Sequence, residues 1–302
     1  MRKKILVLPP MALAFLLGLA INTQSQSLHT LTVHGPRPLA KAVNELQVRY
    51  RIPITYEDPP FSYENDYDDK TAPQFWGSGK RALIPKEGSL EVEYRISDKT
   101  KQPENPTALL GALLQDHINR GNPGLFRLQE ANGMYHIIPT QARNEKGIMI
   151  QVSPILDTPI SFTAADRILG DAVLEVCKAL SQATGTTVLL AGMPNNLFLQ
   201  RHTSRGAANQ PARDVLMGLF LETGKTLVWR LNFDGGDRKF ILNVSVVVIR
   251  PECLVQSCYL ASGVRVHAHW RISLPSHNGC RSSLRTLEPG ARLARLDIQA
   301  SA

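Results

Sequence analysis

The densest collection of chemistry-bearing side chains lies between residues 56 and 69. There Glu57, Asp58, Glu64, Asp66, Asp68 and Asp69 are interleaved with Tyr56, Phe61, Tyr63 and Tyr67. Carboxylate oxygens could hold a hard cation such as Ca²⁺, and aromatic faces could stack on a sugar ring. A calcium loop needs a glycine at its sharp turn and a closing glutamate. The run Asp66-Tyr67-Asp68-Asp69-Lys70 lacks both, so no metal is assigned. The plainer expectation is a solvated loop whose aromatic residues supply contact energy. On that ground Tyr56, Glu57, Asp58, Phe61, Tyr63 and Tyr67 are the candidate binding residues.

Nucleophilic hydrolysis would require a nucleophile, a base and an orienting acid. His29, His34, His117, His136 and His202 are not near a Gly-x-Ser-x-Gly elbow or a His-Glu-x-x-His zinc pattern. His117 falls on an expected helix and His136 in an expected hairpin, where a structural histidine is the ordinary outcome. Cys177, among Val173, Val176 and Leu180, reads as a small buried apolar group. In the tail, Cys253-x4-Cys258, His267-x-His269 and His277-x2-Cys280 offer enough zinc ligands on paper. Their spacing matches no paired-knuckle pattern, and an exported chain favours disulfides over thiolate sites. No catalytic residue, metal ligand or cofactor is therefore assigned. An envelope hydrolase whose carboxylates meet only in space stays as an alternative.

Charge placement narrows the partners. The formal charge is +8, yet residues 1–27 hold Arg2, Lys3 and Lys4 without an acid, and residues 250–302 carry a net +4. The body is left at about +1, with no basic footprint of the kind a duplex binder needs, so nucleic acid is not expected as a partner. The basic start, the apolar run Ile5–Ala20 and the polar stretch Asn22–Ser27 together describe a secretory signal peptide. Pro9-Pro10 interrupts that run, which falls short of the ~20 apolar residues that span a bilayer. Export with no stable membrane insertion is expected, and hence a periplasmic or secreted location.

The elements that must position these groups come twice. Leu39, Val43, Leu46 and Tyr50 follow steps of 4, 3 and 4, one face of a helix. Leu169, Val173, Val176 and Leu180 repeat that spacing, with Asp166 a plausible cap. Strands Leu31–Val33 and Ile160–Phe162 precede these helices, and Ile54–Tyr56 and Thr186–Leu190 follow them. A second helix begins after Pro106 in one half and Pro211 in the other, and ends at Gly121 and Gly224. Each leads into a hairpin, turning at Asn132-Gly133 and near Asp234-Gly235-Gly236.

The expected fold class is α+β. It consists of two tandem small modules, each with two helices packed on short mixed β-sheets, in the order strand, helix, strand, strand, helix, hairpin. The expected divisions are 1–27 signal peptide, 28–140 first module with its acidic Tyr-rich insertion, 141–154 linker, 155–249 second module, and 250–302 a basic tail, disordered or out of frame.

This order, behind a signal peptide, resembles the short N-terminal domain of secretins and TonB-dependent receptors. The resemblance rests on Pro38-Leu39-Ala40-Lys41-Ala42-Val43 with Ile54-Thr55-Tyr56, and on Pro211-Ala212-Arg213-Asp214-Val215-Leu216 with its closing hairpin. The segment Pro53–Pro60 is also similar to uncharacterised exported bacterial proteins. The resemblance implies a periplasmic docking domain that contacts an envelope or outer-membrane protein and has no catalytic residues. No pore or barrel sequence follows the modules, so the chain is itself neither secretin nor receptor. A glycan or peptidoglycan held by the Tyr-rich acidic loop is the alternative partner.

Overall fold

The computed structural model describes residues 27–79 and 81–247. Residues 1–26 of the expected signal peptide and the tail from residue 250 lie outside the described residues, and Ser27, placed in that peptide, begins the first strand.

In the first half, strand β1 (Ser27–Pro36) leads to helix α1 (Pro38–Tyr50), with Pro38 in its first turn, where a missing N–H costs nothing. Strand β2 (Ile54–Glu57) follows. A long excursion then forms the short strands β3 (Tyr67–Asp69) and β4 (Leu83–Pro85) before β5 (Glu87–Ile96). Helix α2 (Pro106–Asn119), capped by the Asn105 side chain, leads to β6 (Leu125–Ala131) and β7 (Met134–Arg143). The turn between these two strands is Asn132-Gly133, both at positive φ as a tight hairpin requires.

The second half repeats the plan. Strand β8 (Met149–Gln151) pairs back on β7, and β9 (Pro159–Phe162) and β10 (Arg167–Ile168) precede α3 (Leu169–Thr184). After β11 (Val188–Gly192) come α4 (Asn195–Gln200), β12 (His202–Thr203) and β13 (Ala207–Pro211). Helix α5 (Ala212–Leu221) and the hairpin β14 (Leu227–Asp234) and β15 (Lys239–Val246) complete it.

The pairing is repeated along with the order. In each half a strand ahead of the first helix pairs antiparallel with the strand that leads into the last, β1 with β5 ahead of α2 and β9 with β13 ahead of α5. The strand after the first helix pairs parallel with the second hairpin strand, giving β2-β7-β6 and β11-β15-β14. One apolar cluster joins α1 and α2 through Leu39, Val43, Leu46, Leu110 and Leu113. A second joins α3 and α5 through Val173, Val176, Leu216 and Leu219. Burial of these faces is what makes the short helices stable.

Three expectations are corrected. The modules do not keep separate sheets: β14 pairs parallel with β2, so the two three-stranded sheets run on as one, in the order β11-β15-β14-β2-β7-β6. Nor is 141–154 a free linker, since β7 extends to Arg143 with Ala142 buried and β8 lies inside the segment. Asp166 does not cap α3. The helix starts only after Arg167-Ile168 has paired with His202-Thr203, and no side chain caps it.

Register shows which way each half faces. Side chains directly paired in a parallel ladder lie on the same face. Tyr56 belongs to the first cluster, whereas its neighbour Glu57 pairs with Leu231 of the second. The two helix pairs therefore cover opposite faces of the shared sheet.

Because the sheet is continuous, the halves should unfold together. Leu110→Ala in the first cluster and Leu216→Ala in the second should each cost about 2–5 kcal/mol. Both should lower a single calorimetric transition. Two separable transitions, each moved by only one of the variants, would show that the halves are independent.

Candidate functional site

The candidate residues of the acidic, Tyr-rich stretch do not form a solvated loop. Strand β2 threads between β14 and β7, so alternate side chains enter the two cores. Tyr56 points into the first, and Glu57 and Asp58 are buried in the seam between the halves. Phe61 and Tyr67 join the second cluster, where they meet edge to face. Of the six, only Tyr63 stays partly open, with the Arg143 guanidinium 6.0 Å from its ring centroid. The expectation that this group presents an aromatic binding surface is corrected on physical grounds. Four of its members contribute ring or carboxylate to the inter-module contact.

At the centre, Arg213 on the first turn of α5 binds Glu57 with both terminal nitrogens, the longer bond being 3.2 Å from Nη2 to Oε2. Its Nε donates to Asp157 at 2.9 Å. Trp229 on β14 directs Nε1 at Glu57 Oε1 from 3.5 Å. Burial pushes the Glu57 carboxyl up from its usual value, and the charge and hydrogen bonds of Arg213 oppose this. Burial likewise works against the Arg213 charge, but Glu57 and Asp157 outweigh it and hold the guanidinium above its ordinary value. A forked guanidinium–carboxylate pair is among the strongest arrangements side chains offer.

Asp58 makes the second fastening. It accepts from Arg37 Nε at 2.6 Å, from the Tyr56 hydroxyl at 2.7 Å and from the Phe233 backbone N–H at 2.8 Å, while its own N–H donates to the Leu231 carbonyl at 2.8 Å. Arg37 also donates to the Phe233 carbonyl. It stands at the start of α1 with φ 53°, a left-handed conformation uncommon outside glycine, asparagine and aspartate. That backbone conformation accompanies a guanidinium reaching from one half to the other.

Beside these acids, Thr55 Oγ1 and His136 Nδ1 share a hydrogen bond of 2.7 Å, and the His136 ring lies over Trp229 with centroids 5.5 Å apart. Burial, reinforced by the Arg213 charge, lowers the His136 pKa to about 4. His117 is a packed histidine, bonded to the Pro123 and Gly124 carbonyls and lying edge-on to Phe126. Cys177 is buried in α3, its thiol pushed up to about 12 by desolvation, which makes it a poor nucleophile.

Comparison with family models, with curated proteins and with solved structures gives no match. The assignment of roles therefore rests on geometry. Glu57 and Asp58 are spent as acceptors inside the seam and are closed to a ligand.

Sequence reasoning missed Arg213, Arg37, Asp157 and Trp229. Glu57 and Arg213 are 156 positions apart, so no local pattern links them. It also passed over Phe75 and Trp76, adjacent aromatic residues just before Gly77 that the structure leaves exposed. Two aromatic side chains ahead of a Gly-Ser-Gly turn were a usable signal.

Removing Arg213 leaves Glu57 buried without its cation, so Arg213→Met should cost about 3–5 kcal/mol in denaturant unfolding. Adding Glu57→Met should restore most of that loss. An Arg213→Met protein as stable as the wild type would disprove the clamp.

Protonation gives a second test. Between pH 6.5 and about 4 the unfolded chain takes up a proton that folded His136 refuses. Stability should therefore fall with pH through this window, by up to about 3 kcal/mol from this group. His117, also lowered by burial, acts in the same sense. His136→Gln should show a drop smaller by about 2–3 kcal/mol between pH 7 and pH 4. An unchanged drop would mean that His136 is not held neutral.

Proposed function

We propose that the chain is an exported, non-catalytic binding protein that docks on another protein of the bacterial envelope. Two features of the sequence support this reading, the signal-peptide pattern at residues 1–27 and the likeness to the short N-terminal domain of secretins and TonB-dependent receptors. Among the described residues no helix is long and apolar enough to cross a membrane.

The observation that carries the proposal is the excursion between β2 and β5. Its base is fixed: Tyr67 donates to the Phe61 carbonyl at 3.2 Å, Arg143 to Asp66 at 2.6 Å and Arg81 to Glu64 at 2.8 Å, with β3 and β4 paired between them. At its tip Phe75 is 46% and Trp76 72% exposed, and the indole N–H donates to the Thr71 carbonyl at 3.1 Å. Ile84 on β4 adds a further exposed apolar side chain.

Rigid aromatic side chains lose little freedom on binding and dominate the energy of protein interfaces. A packed base carrying outward aromatic rings is suited to that role. The glycan alternative fits less well at this site, because Tyr67 and Phe61 belong to the base of the excursion and are closed to a sugar.

Crosslinking of the tagged full chain in an envelope fraction should recover a partner protein. Phe75→Ala with Trp76→Ala should weaken that recovery at least tenfold and leave the unfolding midpoint unchanged. Val48→Ala, an exposed position on α1, should leave recovery as it is. Undiminished capture by the double aromatic variant would exclude this excursion as the docking surface.

A further inference from the structure

A second site stands apart from the aromatic tip. A cleft of about 520 Å³ opens where the excursion folds back over the first half, within the size range of small-molecule sites. Its wall brings together Asp66 and Lys86 from the excursion, Glu87 from the start of β5, Arg120 and Asn122 just past α2, and Arg143 from β7.

Asp66 is the unusual member. It is 3% exposed, and its Oδ1 accepts from Arg143 Nη1 at 2.6 Å. Its Oδ2 is buried and has no hydrogen-bond partner among the described residues. Native structures seldom leave a buried carboxylate oxygen unused, because the group has given up water for nothing in return. The wall thus holds an acceptor that calls for an O–H or N–H donor.

The cations supply the second half of the specification. Arg120 is committed to Asp116 at 2.8 Å, to Ser89 at 3.2 Å and to Glu91 at 3.4 Å. Arg143 is committed to Asp66. Lys86 is exposed, acts on Asp66 by charge, and forms no ion pair among the described residues. With Arg143 answered by Asp66 and Arg120 by Asp116 and Glu91, Lys86 is the lining cation left without an ion pair among the described residues, beside Glu87 and with His34 at the rim.

We propose that this cleft binds a monoanionic, hydroxyl-bearing small molecule of the acidic-sugar class. Its carboxylate would meet Lys86 and its hydroxyl or amide donors the free Asp66 oxygen. A phosphate dianion fits less well, since it brings one O–H donor at most and carries a second negative charge toward the Asp66 carboxylate. A neutral sugar leaves Lys86 unanswered. The site is independent of the docking surface, and neither stands or falls with the other.

The test is calorimetric titration of the full chain with N-acetylmuramic acid. N-acetylglucosamine, which has the same ring without the carboxylate, inorganic phosphate and alanine serve as comparisons. N-acetylmuramic acid should bind about tenfold or more tightly than N-acetylglucosamine. Lys86→Met should weaken it about tenfold with no change in the unfolding midpoint, and Asp66→Asn should weaken it further. If Asp66→Asn fails to fold, the Lys86 variant and the two-sugar comparison still decide the matter. Equal affinity for the two sugars, affinity for phosphate or alanine alone, indifference to Lys86→Met, or no heat with N-acetylmuramic acid would each overturn the proposal.

Discussion

A carboxylate taken out of water must keep its cation, and the Glu57–Arg213 pair imposes that condition on the whole molecule. The ladder between β2 and β14 is short, with Tyr56 opposite Arg230 and Glu57 opposite Leu231. So few backbone bonds specify a register weakly. The side chains specify it strongly. A slip of one residue would turn Glu57 into the first apolar cluster and Tyr56 toward α5, exchanging a carboxylate for a ring in both cores. Only the observed register lets Glu57 meet Arg213 and Trp229 while Tyr56 packs on Phe126. Buried ion pairs add little net stability over apolar replacements, since desolvation offsets much of the attraction. Here the pair's contribution is to fix which edge meets which, and in what register.

Asp58 extends the same condition to the helices. Its bond to Arg37 ties the start of α1 to the seam, and its bond to the Phe233 N–H ties it to β14. Two adjacent acids, one at the end of β2 and the other just past it, thus fasten opposite sides of the sheet. Glu57 holds the α5 side and Asp58 the α1 side. The alternation of side chains along an extended strand makes this division possible.

What could be read in advance was whatever repeats locally. The 4, 3, 4 spacing of Leu39, Val43, Leu46 and Tyr50 and its copy at Leu169–Leu180 placed the first long helix of each half. Asn132-Gly133 placed a turn that the backbone adopts. Strand β5 was legible but not located. The expected order placed a strand ahead of the second helix without assigning it residues, although Leu90, Val92, Tyr94 and Ile96 alternate with exposed residues across β5. The seam was not legible, because nothing near Glu57 in the chain announces Arg213, and acids among prolines look solvent-facing. The role of the acidic stretch was inverted for that reason. Side chains that suggested a ligand surface are the fastening itself.

The junction also explains why the pattern of modules need not continue. The halves meet head to tail, so each of the two strand types at the seam recurs at an outer edge, β11 as the counterpart of β2 and β6 as that of β14. Backbone pairing alone would permit another module at either end. The chemistry does not repeat with the topology. Aligning α2 with α5 on their apolar faces places Thr107 where Arg213 stands, and β11 reads Val188-Leu189-Leu190-Ala191-Gly192 with no carboxylate. The β6 edge instead carries exposed Arg127 and Glu130, charges that discourage edge-to-edge association. A strand arriving there would find neither a buried acid to complete nor a guanidinium to complete it. The clamp that joins the two halves is therefore not repeated at either outer edge.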